Sequence, residues 1–331
     1  MFYQFPVSAD CYHLQGLLIP TIDGGWEEVM CTRLLMGSSY APAVVCNFMH
    51  GIFSGVQPRP YMDDLAIVAN TGATDPSASA FQNFAKILQI AQEYNLPINA
   101  KKTQANKGQI QYLGRITDGK TIWPAPDSRL QTATWARPNT LKQLRSFIGF
   151  VNYYRDCLPR LSTTVAPLTS MIDAAKPKGY KLRWNTDQAA AWQEALDLLG
   201  AMEPLHHIDP SRPLEVYSDA SDYGMGYLLA QHDDDNHLLV IAHGSKKFTS
   251  TQLRYDTYEK ELMGIYSAIM HFKPYLLPRP FIVHTDHRNL TFLLKSTTPK
   301  HQRWLMALQE FDFTIHHVAG IINPADYPSR V

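Results

Sequence analysis

The chain has 331 residues, 45% of them hydrophobic and 18% charged, with 30 Lys+Arg against 30 Asp+Glu and hence no formal net charge. That length suits about two to three domains with real cores, and no run reaches the ~18 uninterrupted apolar residues of a membrane helix. The opening Met1-Phe2-Tyr3-Gln4-Phe5-Pro6 lacks the basic and apolar regions of a secretory signal, so a soluble, intracellular protein without membrane contact is expected.

In chain order, the first block runs to about Trp123-Pro124-Ala125-Pro126. It contains a short apolar strand at Leu65-Ala66-Ile67-Val68. A helix from Pro76 to about Tyr94 follows, ended by Asn95-Leu96-Pro97, because proline cannot continue the ladder. The second block, to about residue 200, reads as helical. After the capping pair Asn139-Thr140, Leu141, Leu144, Ile148 and Val151 form an apolar stripe, with Lys142, Arg145 and Arg155 largely off it. A further helix, about Asp187 to Met202, carries Trp192, Leu196 and Leu199. The third block alternates: strands at Leu214–Tyr217, Gly224–Leu229 and Leu238–Ala242, a long helix from Thr251 to Phe272, a strand at Phe281–His284, a helical region, and a strand at Phe313–Val318. The order βββ-α-β-α-β-α implies a mixed sheet covered by helices, an α/β (α+β) fold.

Charge is distributed unevenly along this order. Residues 1–100 hold 3 Lys/Arg and 8 Asp/Glu (−5), residues 101–200 hold 15 and 7 (+8), and residues 201–331 hold 12 and 15 (−3). The middle third can hold phosphates by counterion release, or it is an ordinary solvated surface. Cys11, Cys31, Cys46 and Cys157 form no CxxC pair, which argues against a zinc site or disulfide framework and for buried thiols.

Four acids stand out by position. Asp219 and Asp286 each follow a strand at once, Asp326 follows the helix-starting Asn323-Pro324, and Glu261 lies within the apolar stripe of Tyr258, Ile265 and Ile269. Most carboxylates are simply solvated, but one facing a core is costly unless paired or metal-bound. A carboxylate cluster without His or Cys suits hard cations such as Mg²⁺, and two such ions can drive phosphodiester cleavage.

Tyr217-Ser218-Asp219-Ala220-Ser221-Asp222-Tyr223-Gly224 resembles the opening of the RNase H domain of gypsy-type LTR retrotransposons. So do Phe248-Thr249-Ser250-Thr251-Gln252 with Glu259-Lys260-Glu261-Leu262, Thr285-Asp286-His287-Arg288-Asn289-Leu290, and Asn323-Pro324-Ala325-Asp326-Tyr327 with Ser329-Arg330, in family order. The resemblance implies that Asp219, Glu261, Asp286 and Asp326 bind two Mg²⁺ ions, with Mn²⁺ able to substitute, and cleave RNA paired to DNA. Pro328 stands where the family usually has Leu and would interrupt a final helix, which weakens the assignment of Asp326 most. His316 and His317 read as exposed strand residues without a role.

Tyr61-Met62-Asp63-Asp64 resembles the YxDD motif of reverse transcriptases, which implies that Asp63 and Asp64 are catalytic metal ligands. By the same resemblance Phe2 excludes a 2′-hydroxyl, Gly37 and Lys102 meet template or nucleotide, and Tyr112-Leu113-Gly114 is the primer grip. Lys142 and Arg145, in Lys142–Gly149 with Asn152-Tyr153-Tyr154-Arg155, belong to the thumb and connection. The family's first catalytic aspartate and its fingers precede the Phe2 position, Leu35 and Met36 replace the usual Pro and Phe, and Pro58 and Pro60 interrupt what is commonly an apolar strand. No independent polymerase activity is expected.

The expected organisation is a partial polymerase palm at 1–124, a basic helical thumb/connection at 125–205 and an RNase H-like domain at 206–331. The expected activity is hydrolysis of the RNA strand of an RNA–DNA hybrid, joined to an RNA-directed DNA polymerase remnant. The alternative is a non-catalytic nucleic-acid-binding or scaffold protein derived from a retroelement. Hybrid and template–primer are the expected partners, and no protease or integrase signature, the usual polyprotein neighbours, lies within these residues.

Overall fold

The punctuation read from the sequence becomes caps and turns in the computed structural model, which describes residues 2–56, 59–67, 75–105, 107–125, 135–173, 181–277, 279–288, 299–320 and 323–325. The chain divides into two units, Met1–Gly108 and Gln109–Val331.

In the first unit, β1 (Gly16–Pro20) and β2 (Trp26–Met30) form an antiparallel ribbon. Helix α1 (Ala41–Ile52) follows, then a hairpin of β3 (Arg59–Tyr61) and β4 (Asp64–Ala66). Pro60 was expected to interrupt this strand, yet it sits within β3 opposite Leu65. The position next to the Tyr61–Asp64 closing pair falls between ladder bonds, where a missing N–H costs nothing. Helix α2 (Pro76–Glu93) starts with Asp75 accepting from the Ala78 N–H at 3.0 Å. It ends at Glu93, and Asn95 just beyond turns left-handed at φ 52°, before Pro97 is reached. Buried Leu34, Ala41, Val45, Met49, Phe53 and Ile87 form the core.

The second unit opens with an unexpected sheet. β5 (Ile110–Tyr112), β6 (Arg115–Thr117), β7 (Thr121–Pro124) and β8 (Leu205–His206) pair antiparallel in that order. Residues 110–124, expected with the first block, thus share a sheet with 205–206, reached through Thr121 and Ile122 of β7 across the whole helical segment. That segment contains α3 (Leu141–Tyr153), α4 (Leu161–Thr164), α5 (Ala166–Asp173) and α6 (Thr186–Gly200). Thr140 and Gln143 form a reciprocal capping box on α3. The buried face of α3 is Leu144, Phe147 and Val151, and that of α6 is Ala191, Trp192, Ala195, Leu198 and Leu199. Both stripes are rotated from the sequence reading because the Phe147 and Trp192 rings, 4.1 Å apart, take the centre of this core.

Next come β9 (Leu214–Ala220), β10 (Gly224–His232), β11 (Leu238–Lys247), α7 (Thr257–Leu276), β12 (Phe281–Thr285), α8 (Pro299–Leu308) and β13 (Phe313–His317). The sheet order is β11-β10-β9-β12-β13, antiparallel from β11 to β9 and parallel from β9 to β13, so the mixed five-stranded sheet read from the sequence is present. Helix α7 starts later than expected. Residues 252–254 form a tight turn in which Thr249 and Gln252 bond each other's backbone, and Asp256 then caps α7 by accepting from the Glu259 N–H at 2.7 Å. Leu214, Val216, Leu229, Leu262, Ile265, Ile269 and Val283 bury the α7 face of the sheet. On the edge strand β11, Ser162 of α4 donates its N–H to Ser245 Oγ at 3.0 Å and its hydroxyl to the Ser245 carbonyl at 2.7 Å, which covers backbone that would otherwise be free to pair. The helix expected after Asn323 lies outside the described residues. Among the described residues no helix is long and apolar enough to cross a membrane.

Candidate metal centre

Parallel pairing brings the C-terminal ends of β9 and β12 to the same edge. The register pairs Tyr217 with His284, so two residues further along each strand Asp219 and Asp286 come level. Helix α7 crosses this end and contributes Glu261, which is buried among Leu262 and Ile265. Carboxylate oxygens of Asp219, Glu261 and Asp286 all lie within 4.8 Å of one another. Asp219 and Glu261 are buried and Asp286 is half-buried.

Glu261 is the most constrained of the three. Its Oε1 accepts from the Ala220 N–H at 3.3 Å, while its buried Oε2 has no hydrogen-bond partner. Burial, then the charges of Asp219 and Asp286, push its carboxyl up to about 9 against the opposing Ala220 hydrogen bond. At neutral pH it is therefore held protonated unless a cation joins the group. An orphaned buried oxygen facing two further carboxylates, with no His or Cys among them, is a donor set for a hard divalent cation.

Flanking residues brace the centre. Asn323 donates its amide Nδ2 to the Ser218 carbonyl at 3.1 Å and accepts from the Ala325 N–H at 3.1 Å. Gly320 abuts Asp286: a Cβ there would stand 3.0 Å from Oδ2. The structure thus brings together three of the four acids expected here. Asp326 lies outside the described residues, as does Pro328. His316 and His317 are exposed on β13.

The other expected residues stand apart from this group. Asp63 and Asp64 are exposed at the β3–β4 turn, where Met62 is left-handed at φ 53°. Gly37, with φ 98°, precedes α1. Lys102 is exposed on a turn closed by its N–H to Asn99 Oδ1 at 3.3 Å. The side chain of Phe2 lies outside what is described. Tyr112, Leu113 and Gly114 form the β5–β6 turn, with Leu113 at φ 49° and Gly114 at φ 71°. The Tyr153 hydroxyl of α3 donates to the Leu113 carbonyl, and the Arg115 guanidinium donates to the Tyr153 carbonyl at 3.2 Å. Lys142 and Arg145 are exposed on α3. Among the described residues one other acidic group meets the same proximity, Asp233-Asp235-His237. It is the β10–β11 turn, folded on itself by the Asp235 and His237 N–H groups donating to Asp233.

One cluster escaped the sequence reading. Glu215, buried on the face of β9 opposite Val216, accepts from Tyr217 Oη at 2.9 Å, His232 Nδ1 at 2.8 Å and His284 Nε2 at 2.7 Å. Burial alone would raise its carboxyl, but the donors His284, His232 and Tyr217 together bring it down to about 2. The signal was a charged residue between Leu214 and Val216 in a strand buried on both faces.

Comparisons with known proteins agree with this architecture. Residues 209–311 match the family described as an RNase H-like domain found in reverse transcriptase, and residues 2–117 match reverse transcriptase (RNA-dependent DNA polymerase). The transposon Tf2-3 and Tf2-4 polyproteins of Schizosaccharomyces pombe are each 29% identical over 305 residues, covering 89% of this chain and 22% of theirs. The chain thus spans 22% of the length of those polyproteins. The foamy viral protease-reverse transcriptase in complex with RNA/DNA hybrid superposes with a TM-score of 0.77 at 22% identity, over 96% of this chain and 42% of that one. The same viral protein in complex with dsDNA gives 0.76 at 22% identity, over 95% and 64%.

Proposed function

We propose that this chain, which carries reverse-transcriptase and RNase H-like domains of the gypsy-type LTR retrotransposon kind, hydrolyses the RNA strand of an RNA–DNA hybrid at Asp219, Glu261 and Asp286. The observation that carries this reading is the buried, unpartnered Oε2 of Glu261 facing two other carboxylates. Such a group is stable only with a proton or a cation.

The residues present fit Mg²⁺. Asp219, Glu261 and Asp286 would hold it, with Asp326 as the fourth ligand that the family resemblance supplies. When bound, a pair of such ions stabilises charge on the attacking and departing oxygens of a phosphodiester. The chain's own part is preorganisation. The parallel β9–β12 pairing sets the spacing of Asp219 and Asp286, and Glu261 gives up its proton as the cation enters. Exposed Lys142 and Arg145, and the Tyr112–Gly114 turn, would contact template–primer or hybrid within the second unit, and Lys102, Gly37 and Phe2 would do so in the first.

Nucleotidyl transfer by this chain alone is not expected. Asp63 and Asp64 are exposed, and among the described residues no third acidic group joins them within metal-sharing distance. The test is cleavage of a labelled RNA–DNA hybrid with Mg²⁺ and with chelator, beside primer extension on the same preparation. Cleavage without extension is expected. Hybrid binding without cleavage would replace this reading with that of a non-catalytic nucleic-acid-binding protein.

A further inference from the structure

We infer that Gly264 is a positioning residue for the carboxylate centre, paired with Ser218 as a spacer that sets how closely α7 approaches β9; its activity readout rests on the hydrolase reading above. Glycine disfavours the interior of a helix relative to alanine, so its presence in the middle of α7 calls for a packing reason. The reason is the strand beneath. A Cβ at 264 would stand 2.8 Å from Ser218 Oγ, with the Ala220 Cβ at 4.0 Å as its next neighbour.

Ser218 is poorly placed to yield. It has no exposed surface, and its Oγ is buried without a hydrogen-bond partner. Its carbonyl is held by Asn323 at 3.1 Å, and its backbone pairs with Tyr227 of β10. Strand and brace fix the backbone on one side of the contact, and the wholly buried hydroxyl has no solvent to swing into, so added bulk at 264 displaces the helix.

The contact lies one step from the chemistry on both elements. Asp219 is the next residue after Ser218 on β9. Glu261 is three residues before Gly264 on α7, about one turn and on the same face. Lifting the helix at 264 therefore moves Glu261 away from Asp219 and Asp286, and it opens a group whose oxygens now lie within 4.8 Å. The sole overlap is with Ser218 Oγ, so removing that one atom makes room for the methyl group.

The experiment compares Gly264→Ala, Ser218→Ala and the double variant in the full chain. Gly264→Ala is expected to lower Mg²⁺-dependent hybrid cleavage about tenfold and to raise the Mg²⁺ concentration for half-maximal rate, since sub-ångström to ångström misplacement of catalytic groups has effects of this order. The double variant is expected to return to the level of Ser218→Ala in both readouts. A loss through folding alone, with the Mg²⁺ requirement unchanged and the melting temperature lowered, overturns the inference. Gly264→Ala with undiminished rate and unchanged Mg²⁺ requirement overturns the inference, as does a double variant no better than Gly264→Ala. If the parent chain does not cleave, the hydrolase reading falls separately, and calorimetric titration with Mg²⁺ decides. Affinity weakened by Gly264→Ala and restored in the double variant sustains the spacer. Equal affinity in all variants, or none in the parent, overturns it.

Discussion

Asp63 and Asp64 stand exposed at a two-residue turn between three-residue strands, whereas Asp219 and Glu261 are buried at the end of a five-stranded sheet, with Asp286 half-buried beside them. The side-chain chemistry is the same and the demands are opposite. Water satisfies a carboxylate on a turn, so that pair requires nothing further. Burial removes the water from Glu261 and leaves one oxygen without a donor, so the second group needs a proton or a cation. A motif match treats the two alike; desolvation distinguishes them.

The sharpest way to break this contrast is Asp286→Asn. Hybrid cleavage should fall on the order of 10³-fold, several kcal/mol of lost transition-state stabilisation, while hybrid binding measured by mobility shift is retained. Undiminished cleavage would remove Asp286 from the centre.

The next effect is on protons. Glu261, raised to about 9 from an ordinary 4.5, binds a proton in the folded, metal-free chain across a window where the unfolded chain has lost it. Stability of the metal-free chain should therefore fall as pH rises from about 4.5 to about 9. Mg²⁺ should bind more tightly with rising pH and displace about one proton, which calorimetry in buffers of different ionisation enthalpy would record. No proton release near pH 7 would place Glu261 outside the metal site.

Glu215 is the contrasting buried acid, satisfied entirely by protein donors. Its carboxyl, brought down to about 2, contributes stability that is present above the unfolded value near 4.5 and lost as pH falls toward 2. Glu215→Gln should cost about 2 kcal/mol near neutral pH, from loss of charge-assisted hydrogen bonds, and should flatten that acid limb in urea unfolding. A variant as stable as the parent would show that the His232 and His284 bonds contribute nothing net.

The smallest expected effect is at the β5–β6 turn. Gly114→Ala places a Cβ at φ 71°, 3.1 Å from the Tyr153 hydroxyl, and should cost about 1–2 kcal/mol, a melting shift of a few degrees. An unchanged melting temperature would mean that Tyr153 does not hold this turn.

Much of this was legible in one dimension. The strand at Leu214–Tyr217, the acids placed directly after strands and Glu261 within an apolar stripe were all readable from the residues. The four-stranded β5–β8 sheet was not legible, because its last strand is two residues long and pairs with residues far upstream in sequence. The start of α7 was misplaced because Thr251 and Asp256 are both acceptable caps, and the Thr249–Gln252 bonds decide between them. The α3 and α6 stripes were rotated because aromatic rings packed between helices, rather than periodicity, chose the buried face.

By itself the sequence determined the order of elements and the residue types that can hold a divalent cation, since period, caps and side-chain chemistry are local properties. Only the tertiary structure decided that β9 and β12 run parallel, that their ends meet under α7, and that Glu261 loses its water there. Those depend on which surfaces cover which, and burial is what turns three ordinary carboxylates into a group that needs a proton or a cation.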